Sequence, residues 1–449
     1  MSVQYILKGT PDRIMARLKE LSLVTDVPGQ ITRTFVSPAS MKAAALVGSW
    51  MKEAGMSTFI DAAGSIRGRL EGTRPDLPAV MLGSHLDTVI NAGAYDGTLG
   101  VLSAIEAVDR LVKAGKRPEH SVEIAGFSDE EGTRFGVTYL GSAAVAGRWD
   151  PAWFDAVDRE GITLRNAMLD AGLSPEKIGE ARIPEKELCA YYELHIEQGP
   201  ILEKKDRSLA CVTCISHCRR FDISVTGETG HAGTVPVSWR HDAMLGACAV
   251  IGAIEKVSRK YGDSLFCTVG TIACVPNMTN SIAQRVSFHL DMRSQDPGQV
   301  ESALAEMQRV AEAICQERGL GISSRQFFET RLTPCSPDPV SRVREAIAAV
   351  QPDVPELPSG AGQDAAEMAF VWPVAMIFLR SRGALSLPRG GRLAGRRGKR
   401  HPLPHRHTFN LLIFPLQPQR PRLLPEREGG AFAYVPTGNI RRNHTRFSW

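Results

Sequence analysis

The sequence predicts an α/β protein with a smaller α+β domain inserted into it. At 449 residues the chain is too long for one ordinary hydrophobic core, so two domains are expected. In the first half, short apolar strands alternate with amphipathic helices, which is typical of a sheet flanked by helices. From about Cys211 onward the strands alternate polar and apolar residues, which indicates a second domain of different construction.

Periodicity places the elements of the first half. Helices are predicted at residues 10–23, 40–54 and 101–114, and apolar strands at 78–82 and 122–127. A further apolar strand begins at Tyr191. The order strand, turn, helix, strand predicts a βαβ arrangement, in which functional residues gather where the strands end.

Polar residues of metal-binding type follow these strands. They are His85, Asp96 in a glycine-bracketed turn, the pair Glu130 and Glu131, and His195. One His alone is more often a hydrogen-bonded core residue, but several such residues at strand ends are harder to explain in that way. Mixed His and carboxylate ligation suits Zn²⁺, Mn²⁺, Co²⁺ or Ni²⁺. Since each oxygen of an Asp can bind one ion, Asp96 could bridge two.

The neighbouring carboxylates Glu130 and Glu131 suggest hydrolysis. Side chains of adjacent residues at a strand end point to different sides, so one carboxylate can bind a metal while the other stays available. Metal-assisted hydrolysis needs one such ligand and one general base. The alternative for an isolated pair of this kind is a solvated acidic turn.

The inserted region has its own pattern. Strands are predicted at 221–225, 266–272 and 286–292, and helices at 242–258 and 299–318, which indicates an α+β domain of two layers. Within it, Arg293 could hold a carboxylate through two parallel hydrogen bonds. The alternative is an ordinary salt bridge at the strand edge between Arg293 and Asp291.

Composition favours a soluble cytoplasmic protein. Hydrophobic residues make up 43% of the chain, and no apolar run is long enough to cross a bilayer. The nine cysteines are unevenly spaced, and Cys211 and Cys214, with His217 nearby, lack the second ligand pair of a structural zinc site. Buried free thiols in a reducing compartment are the favoured interpretation.

Charge is distributed unevenly along the chain. Residues 380–449 contain 15 Lys and Arg against 2 Asp and Glu, whereas residues 1–379 contain 38 against 47. A nucleic-acid-binding function would depend on this basic tail alone. We therefore do not expect nucleic acid or membrane among the partners.

The motifs together resemble the carbamoylase and allantoate amidohydrolase branch of the di-metal aminoacylase-like peptidase family. The resemblance runs from about residue 10 to about 385. The motifs that carry it are GSHLDTV, YDGTLGV, FSDEEGTRF, ELHIEQGPILE, GHAGTVP, PNMTNS, DMR and SGAGQDA.

The resemblance implies a catalytic domain with a mixed sheet flanked by helices, and an inserted lid and dimerisation domain. It implies catalytic-domain parts at 1–210 and 331–386 and the inserted domain at 211–330. Two divalent metal ions are implied, Mn²⁺ or Zn²⁺, with Co²⁺ and Ni²⁺ as alternatives. The residues that match metal ligands are His85, Asp96 (bridging), Glu131 and His195.

The resemblance also implies the roles of other residues. Glu130 matches the general base, and Asp87 matches the acidic residue that orients His85. The residues that match substrate-contacting positions are Gln198, His231, Asn280, Arg293 and Gly362. A homodimer through the inserted domain is implied as well.

These features lead us to expect hydrolysis of a ureido C–N bond of allantoate, with release of ammonia and carbon dioxide, in the recycling of purine nitrogen. Activated water would attack the carbamoyl carbon, Glu130 would carry the proton, and His231 would stabilise the oxyanion. The alternatives are an N-carbamoyl-L-amino acid hydrolase with the same machinery, or a substrate-binding homologue with an impaired metal site.

Two departures from the family pattern stand out. The family usually has His where this chain has Gln363, and it has a last metal-binding His in the turn after the strand that ends near Leu379. Residues 383–387 of this chain contain no His at that place. As written, the metal site is one ligand short.

We expect the tail, residues 387–449, to be the product of a shifted reading frame. The resemblance stops within one motif, and the composition becomes rich in Arg, Pro and His. A shift of one nucleotide through Leu387, Pro388 and Arg389 permits codons for Ser-His, the sequence that the resemblance leads us to expect. The alternative is a genuine basic extension in which His401 or His405 replaces the lost ligand. Resequencing the gene distinguishes the two.

Overall fold

The computed structural model describes residues 10–381. These residues form two compact units, one of residues 10–213 with 334–381 and the other of residues 214–333. The expected tail at 387–449, with His401 and His405, lies outside the described residues.

The first part of the chain contains six helices and six strands. They are α1 (Thr10–Ser22), α2 (Pro38–Glu53), β1 (Ser57–Ile60), β2 (Ile66–Leu70), β3 (Ala79–His85), α3 (Thr98–Lys113), β4 (Val122–Phe127), α4 (Leu140–Val145), α5 (Leu164–Asp170), β5 (Leu188–Ile196), α6 (Ile201–Lys204) and β6 (Leu209–Ile215).

The middle part is rich in strands. Its elements are β7 (His217–Thr226), β8 (Gly230–His231), α7 (Ala243–Lys260), β9 (Leu265–Val275), β10 (Ser281–Ile282), β11 (Arg285–Ser294), α8 (Pro297–Glu317) and β12 (Gly321–Thr330). The last described part contains β13 (Thr333–Pro334), α9 (Pro337–Ala348), β14 (Glu356–Ser359), α10 (Ala365–Met368) and β15 (Val374–Leu379).

The larger unit is organised on a mixed sheet. Its strand order is β1-β2-β4-β3-β5-β15-β6-β13, and β14 pairs with β6. The four central strands, β4, β3, β5 and β15, are parallel, whereas β2 and β6 join them antiparallel. All four central strands therefore end at the same edge of the sheet, which confirms the predicted α/β fold.

One predicted strand is longer than expected. The strand predicted at 78–82 continues to His85, because β3 stays paired with β4 up to the pair His85 and Phe127. All seven residues of β3 are buried. His85 is therefore the last residue of a rigid central strand and not part of a loop.

Helices cover both faces of this sheet. One core joins α1, α2, α3 and α9 to alternate residues of the central strands, such as Leu82, Ile124, Tyr192 and Leu194. The residues between them point to the other face, where the Ala365 amide at the start of α10 donates to Glu193. This packing fixes the central strands, and with them the edge where they end.

A glycine allows α3 to pack closely on the sheet. A Cβ built on Gly100 would lie less than 3.0 Å from the carbonyl oxygen of Leu194 on β5 and from the Cβ of Ser84 on β3. Only glycine permits this approach. The first turn of α3 is thereby held against the ends of the two strands that carry His85 and His195.

The smaller unit has two layers. Its antiparallel sheet has the order β12-β7-β11-β9, and the inward side chains of Phe221, Ile223, Phe288 and Leu290 form a core with α7 and α8. Aspartates begin both helices: Asp242 accepts the amide of Met244 at 2.9 Å, and Asp296 accepts that of Gly298 at 2.8 Å. A separate two-stranded ladder joins β8 and β10.

Two further features belong to the described residues as a whole. None of their helices combines the length and the apolar character required to cross a membrane. All nine cysteines are free thiols, and burial raises the pKa of the Cys211 thiol to about 11.

We predict that Gly100→Ala is strongly destabilising. Its Cβ would meet backbone and not a side chain that can move away, so we expect a loss of about 3 kcal/mol in the free energy of unfolding. Gly252→Ala, inside α7 with no atom within 4 Å of the added Cβ, is the control and should stabilise by about 0.5 kcal/mol. Urea unfolding monitored by circular dichroism measures both, and equal stability of the two variants would contradict the close packing of α3.

Candidate metal centre and substrate-binding residues

The residues predicted as metal ligands meet at the edge where the central strands end. His85 closes β3, His195 is the penultimate residue of β5, and Glu130 and Glu131 follow β4. Asp96 reaches the same place from the turn before α3. The structure therefore brings together four segments that are far apart in the sequence.

The ring of His85 is fixed by Asp87. Its Nδ1 lies 3.1 Å from the backbone oxygen of Asp87 and 3.4 Å from the Oδ1 of the same residue. A carbonyl oxygen can only accept a hydrogen bond, so Nδ1 carries a hydrogen and Nε2 is the ring nitrogen left to bind an ion. This is the ring orientation that a metal ligand requires.

His195 is oriented in a similar way. Its Nδ1 donates to the backbone oxygen of Ile196 at 2.9 Å, and its Nε2 lies 3.2 Å from Oδ1 of Asp96. The rings of His195 and His85 stack with their centroids 5.7 Å apart. Both Nε2 atoms thus belong to one compact group of donors around Asp96.

The position of Asp96 depends on the glycine that follows it. Gly97 has a φ of 61°, and a Cβ there would lie 2.5 Å from three ring atoms of His85. No other residue could take this conformation so close to the ring. Burial acts to raise the pKa of Asp96, but the hydrogen bonds with His195 and Gln198 lower it to about 2. Asp96 is therefore a carboxylate at neutral pH.

Gln198 lies on the metal centre itself. Its Nε2 donates to both carboxylate oxygens of Asp96, at 2.9 and 3.0 Å. The residue has a φ of 55°, in the left-handed region, directly after the end of β5. The sequence suggested a substrate contact for Gln198; the structure shows in addition that it contacts the expected bridging ligand.

The carboxylate of Asp87 holds the turn that carries the glutamate pair. Its Oδ1 accepts the amide hydrogen of Glu130 at 2.9 Å, and its Oδ2 accepts that of Glu131 at 3.1 Å. Burial would raise the pKa of Asp87, but these bonds and the His85 ring lower it below its usual value. Asp87 thus fixes one ligand ring and two acidic residues at once.

Glu130 and Glu131 differ in burial. Glu130 is 8% exposed, and burial raises its pKa well above its usual range, with His85 opposing and Glu131 adding to the shift. Glu131 is half-buried, and burial raises its pKa to about 7 against the opposing effect of His85. A cation placed between these carboxylates would lower both pKa values.

Two further buried carboxylates lie behind the centre and were missed by sequence reasoning. Glu193 accepts hydrogen bonds from Ser84 Oγ at 2.9 Å and from the amide of Ala365 at 3.0 Å. Asp364 accepts one from Ser142 Oγ at 2.6 Å. Both acids have no exposed surface. The available signal for Glu193 was an acid inside an otherwise apolar strand.

The loop that contains Gly362 precedes α10 in the larger unit. Gln363, which stands where the family usually has His, is 1% exposed, and its Nε2 donates to Ser359 Oγ at 3.4 Å. A Cβ on Gly362 would overlap the hydroxyl of Tyr139. The backbone at Gly362 is therefore packed tightly against another part of the same unit.

The other substrate-contacting candidates belong to the smaller unit. His231 pairs with Ser281 in the β8–β10 ladder, and the amide next to it, of Ala232, donates to Asn280 O at 2.9 Å. His231 and Asn280 are both exposed. Arg293 forms two parallel bonds with Asp291, from Nε to Oδ1 at 2.7 Å and from Nη2 to Oδ2 at 2.9 Å.

The donor set fits divalent cations. One group comprises His85, Asp96 and His195, another comprises His85, Glu130 and Glu131, and the candidate ligand atoms of each group lie within 4.8 Å of one another. Imidazole nitrogens and carboxylate oxygens suit Zn²⁺ and Mn²⁺. The place where a fifth ligand was expected, residues 383–387, lies outside the described residues.

Comparison with known proteins identifies the family of the chain. Residues 81–388 match the model of peptidase family M20/M25/M40. An allantoate deiminase of Arabidopsis thaliana is 37% identical over 405 residues, which are 84% of this chain and 77% of that protein. An N-carbamoyl-L-amino acid amidohydrolase of Geobacillus stearothermophilus is 38% identical over 381 residues, 84% of this chain and 92% of that protein.

The fold has solved counterparts as well. A hydantoinase/carbamoylase family amidase from Burkholderia ambifaria superposes with a TM-score of 0.78 at 28% identity, covering 90% of this chain and 96% of the other. The resemblance inferred from the motifs is thus confirmed. Because the family model matches most of the chain and relatives that it covers over most of their length are 37% and 38% identical across the aligned residues, the chain belongs to peptidase family M20/M25/M40.

Proposed function

We propose that this protein is a metal-dependent amidohydrolase that cleaves a ureido C–N bond of allantoate, releasing ammonia and carbon dioxide. The observation that carries the proposal is the group of two oriented His rings and buried carboxylates at one sheet edge. Relatives that cover most of the chain are named allantoate deiminase and N-carbamoyl-L-amino acid amidohydrolase, and both names describe C–N hydrolysis outside peptides.

The metal ligands in this proposal are His85, Asp96, Glu131 and His195, with Asp96 as the bridge. Divalent ions held there would polarise the substrate carbonyl. They would also lower the pKa of water, so that hydroxide could form near neutral pH and attack the carbonyl carbon. Mn²⁺ or Zn²⁺ is the proposed pair, and Co²⁺ or Ni²⁺ are alternatives with the same ligand preference.

Proton transfer is assigned to Glu130. Its backbone is fixed by Asp87, and its burial makes the carboxylate a stronger base than one in water. Glu130 would take the proton from the attacking water and deliver it to the departing nitrogen. His231 would donate a hydrogen bond to the oxygen on which negative charge develops.

Recognition is assigned to the polar residues that match substrate-contacting positions. Arg293 would bind the substrate carboxylate through its planar guanidinium. In this structure the guanidinium forms the salt bridge with Asp291 that the sequence offered as the alternative, so the role depends on the test below. Gln198, Asn280 and the backbone at Gly362 complete the proposed contacts. An N-carbamoyl-L-amino acid has the same ureido group and carboxylate, so it is the second candidate substrate.

We also propose a cytoplasmic homodimer that acts in purine nitrogen recycling. Nine free thiols support a reducing compartment. Among the described residues β9 pairs only with β11, so it is an edge strand, and it exposes Phe266 and Ile272 by more than half. Exposed apolar edge strands are typical surfaces for pairing with a second copy.

The first prediction from the proposed function distinguishes the roles of Glu130 and Glu131. Glu130→Gln should keep its metal yet lower the rate of ammonia release from allantoate by about a hundredfold or more, since a positioned base is lost. Glu131→Gln should instead lower the metal content. Metal analysis and steady-state assays with Mn²⁺ or Zn²⁺ measure both.

The exposed Glu187, replaced by Gln, is the control for this pair and should change neither quantity. If Glu130→Gln loses metal but keeps its rate per bound ion, the two roles are exchanged. If the metal-loaded parent releases no ammonia from allantoate or from an N-carbamoyl amino acid but still binds them, the chain is a binding protein and not an enzyme.

The second prediction concerns Arg293. Lys keeps the charge but not the fork, so Arg293→Lys should raise the KM for allantoate about tenfold while kcat changes less. Arg325→Lys is the control, because Arg325 lies on β12, which β7 separates from β11 in the same sheet, and has a looser partner, Asp222 at 3.6 Å. Identical kinetics in the parent and the Arg293 variant would show that Arg293 does not bind the substrate.

The third prediction concerns assembly. Ile272→Lys should convert the dimer to a monomer, because burying a new ammonium group in an apolar contact is costly. Leu169→Lys, at an equally exposed apolar residue of α5, should leave the dimer intact. Sedimentation analysis decides the matter, and a parent chain that is already monomeric contradicts the assembly proposed here.

A further inference from the structure

Tyr139 lies directly before α4 and is bonded to the turn of the candidate base. Its amide donates to the backbone oxygen of Glu130 at 3.2 Å. Its φ is 66° and its ψ 26°, a left-handed conformation that is uncommon for a tyrosine. The residue is 8% exposed. Its backbone therefore belongs to the turn that carries Glu130 and Glu131.

The side chain of Tyr139 reaches a different segment, the loop at residues 359–364. A Cβ built on Gly362 would overlap the Tyr139 hydroxyl, with the ring carbon Cζ next at 3.1 Å. The phenol oxygen of Tyr139 thus occupies the place where any residue other than glycine at position 362 would have its Cβ. By contrast, a Cβ on Gly360 of the same loop would meet no atom within 4 Å.

A second set of contacts joins the same two regions. Ser142 of α4 donates to Asp364, which directly precedes α10, at 2.6 Å, and both side chains are fully buried. Just beyond the end of α4, Arg148 bonds to Glu367 at 2.9 Å and lies over the ring of Phe370. The contact between Tyr139 and Gly362 is therefore part of a continuous and rigid junction.

We propose that Tyr139 is a positioning residue, which locks the Gly362 loop to the turn that carries Glu130 and Glu131. The substrate part of this inference rests on the proposed function, in which the backbone at Gly362 contacts substrate. The fit of hydroxyl against glycine then fixes the distance between the bound substrate and the base.

Such a lock matters because proton transfer tolerates little displacement. A shift of about 1 Å between reacting groups can cost on the order of a hundredfold in rate. Glu130 is held from one side by Asp87, and Tyr139 holds its backbone oxygen from the other. Displacing Tyr139 should therefore disturb both metal binding and substrate binding.

The test is a double-mutant cycle with Tyr139→Phe, Gly362→Ala and the variant carrying both. Gly362→Ala should lower the melting temperature, weaken Mn²⁺ binding in calorimetry severalfold, and raise the KM for allantoate at saturating Mn²⁺ about tenfold with a smaller change in kcat. Tyr139→Phe removes only the hydroxyl and should change each quantity less. Gly360→Ala should match the parent.

The decisive protein is the double variant. Because the Ala methyl would occupy the space that the hydroxyl leaves, all three quantities should return towards those of the parent. If the effects of the two single substitutions simply add in the double variant, the hydroxyl of Tyr139 does not occupy the space beside Gly362 as proposed. The double variant could instead recover the melting temperature while Mn²⁺ affinity and KM are the same in all four proteins. The contact would then be purely structural, and Tyr139 would have no positioning role.

Failure of the proposed function gives a different result. In that case the parent turns over neither allantoate nor an N-carbamoyl amino acid. Gly362→Ala still lowers the melting temperature and the Mn²⁺ affinity, and the double variant still recovers both. If the double variant recovers neither the melting temperature nor the Mn²⁺ affinity of the parent, the proposed contact between Tyr139 and Gly362 is wrong, whether or not the parent is active.

Discussion

The carboxylate of Asp87 is the group on which the metal centre depends. It accepts the amides of both Glu130 and Glu131 and lies beside the Nδ1 of His85, so it fixes three ligand or base candidates from two strands. Beneath it the buried guanidinium of Arg33 donates to the backbone oxygen of Leu86, and Thr88 accepts the Arg33 amide. The loop after β3 is therefore rigid before any ion or substrate binds, which is what preorganised catalysis requires.

The same edge of the sheet brings many acidic side chains close together. Five carboxylates around the centre are nearly or fully buried: Asp87, Asp129, Glu130, Glu193 and Asp364. Burial raises the pKa of most of them, whereas Asp87 is held ionised by hydrogen bonds. A fold normally avoids so many buried acidic groups, because removing a carboxylate from water costs free energy. The arrangement is understandable if the folded protein gains that free energy back when divalent cations bind, so that metal binding and stability are coupled.

The sequence predicted that His85, Glu130, Glu131 and His195 would lie together, because each is at or just after the end of a strand of a parallel sheet, and such ends meet at one edge. The α/β class and the Glu-Glu turn could be predicted for the same reason. The contacts of Gln198 with Asp96 and of Tyr139 with Gly362 could not, because they depend on how loops from distant parts of the chain pack. Glu193 was overlooked because an acid within an apolar strand is usually unfavourable, and only the structure shows that Ser84 and Ala365 satisfy it.

The choice between the two candidate substrates depends on chemistry away from the reacting bond. Allantoate carries two ureido groups on the carbon next to its carboxylate, whereas an N-carbamoyl amino acid carries one ureido group and a side chain. A site built to hydrogen-bond a polar group rejects an apolar analogue far more strongly than an apolar pocket rejects a polar one. The β8–β10 ladder holds His231 next to Asn280, with both residues exposed, so the smaller unit offers hydrogen-bonding groups at that point. Under the proposed function His231 is assigned to the developing oxyanion, so Asn280 is the residue of this ladder that would hydrogen-bond a second ureido group of allantoate.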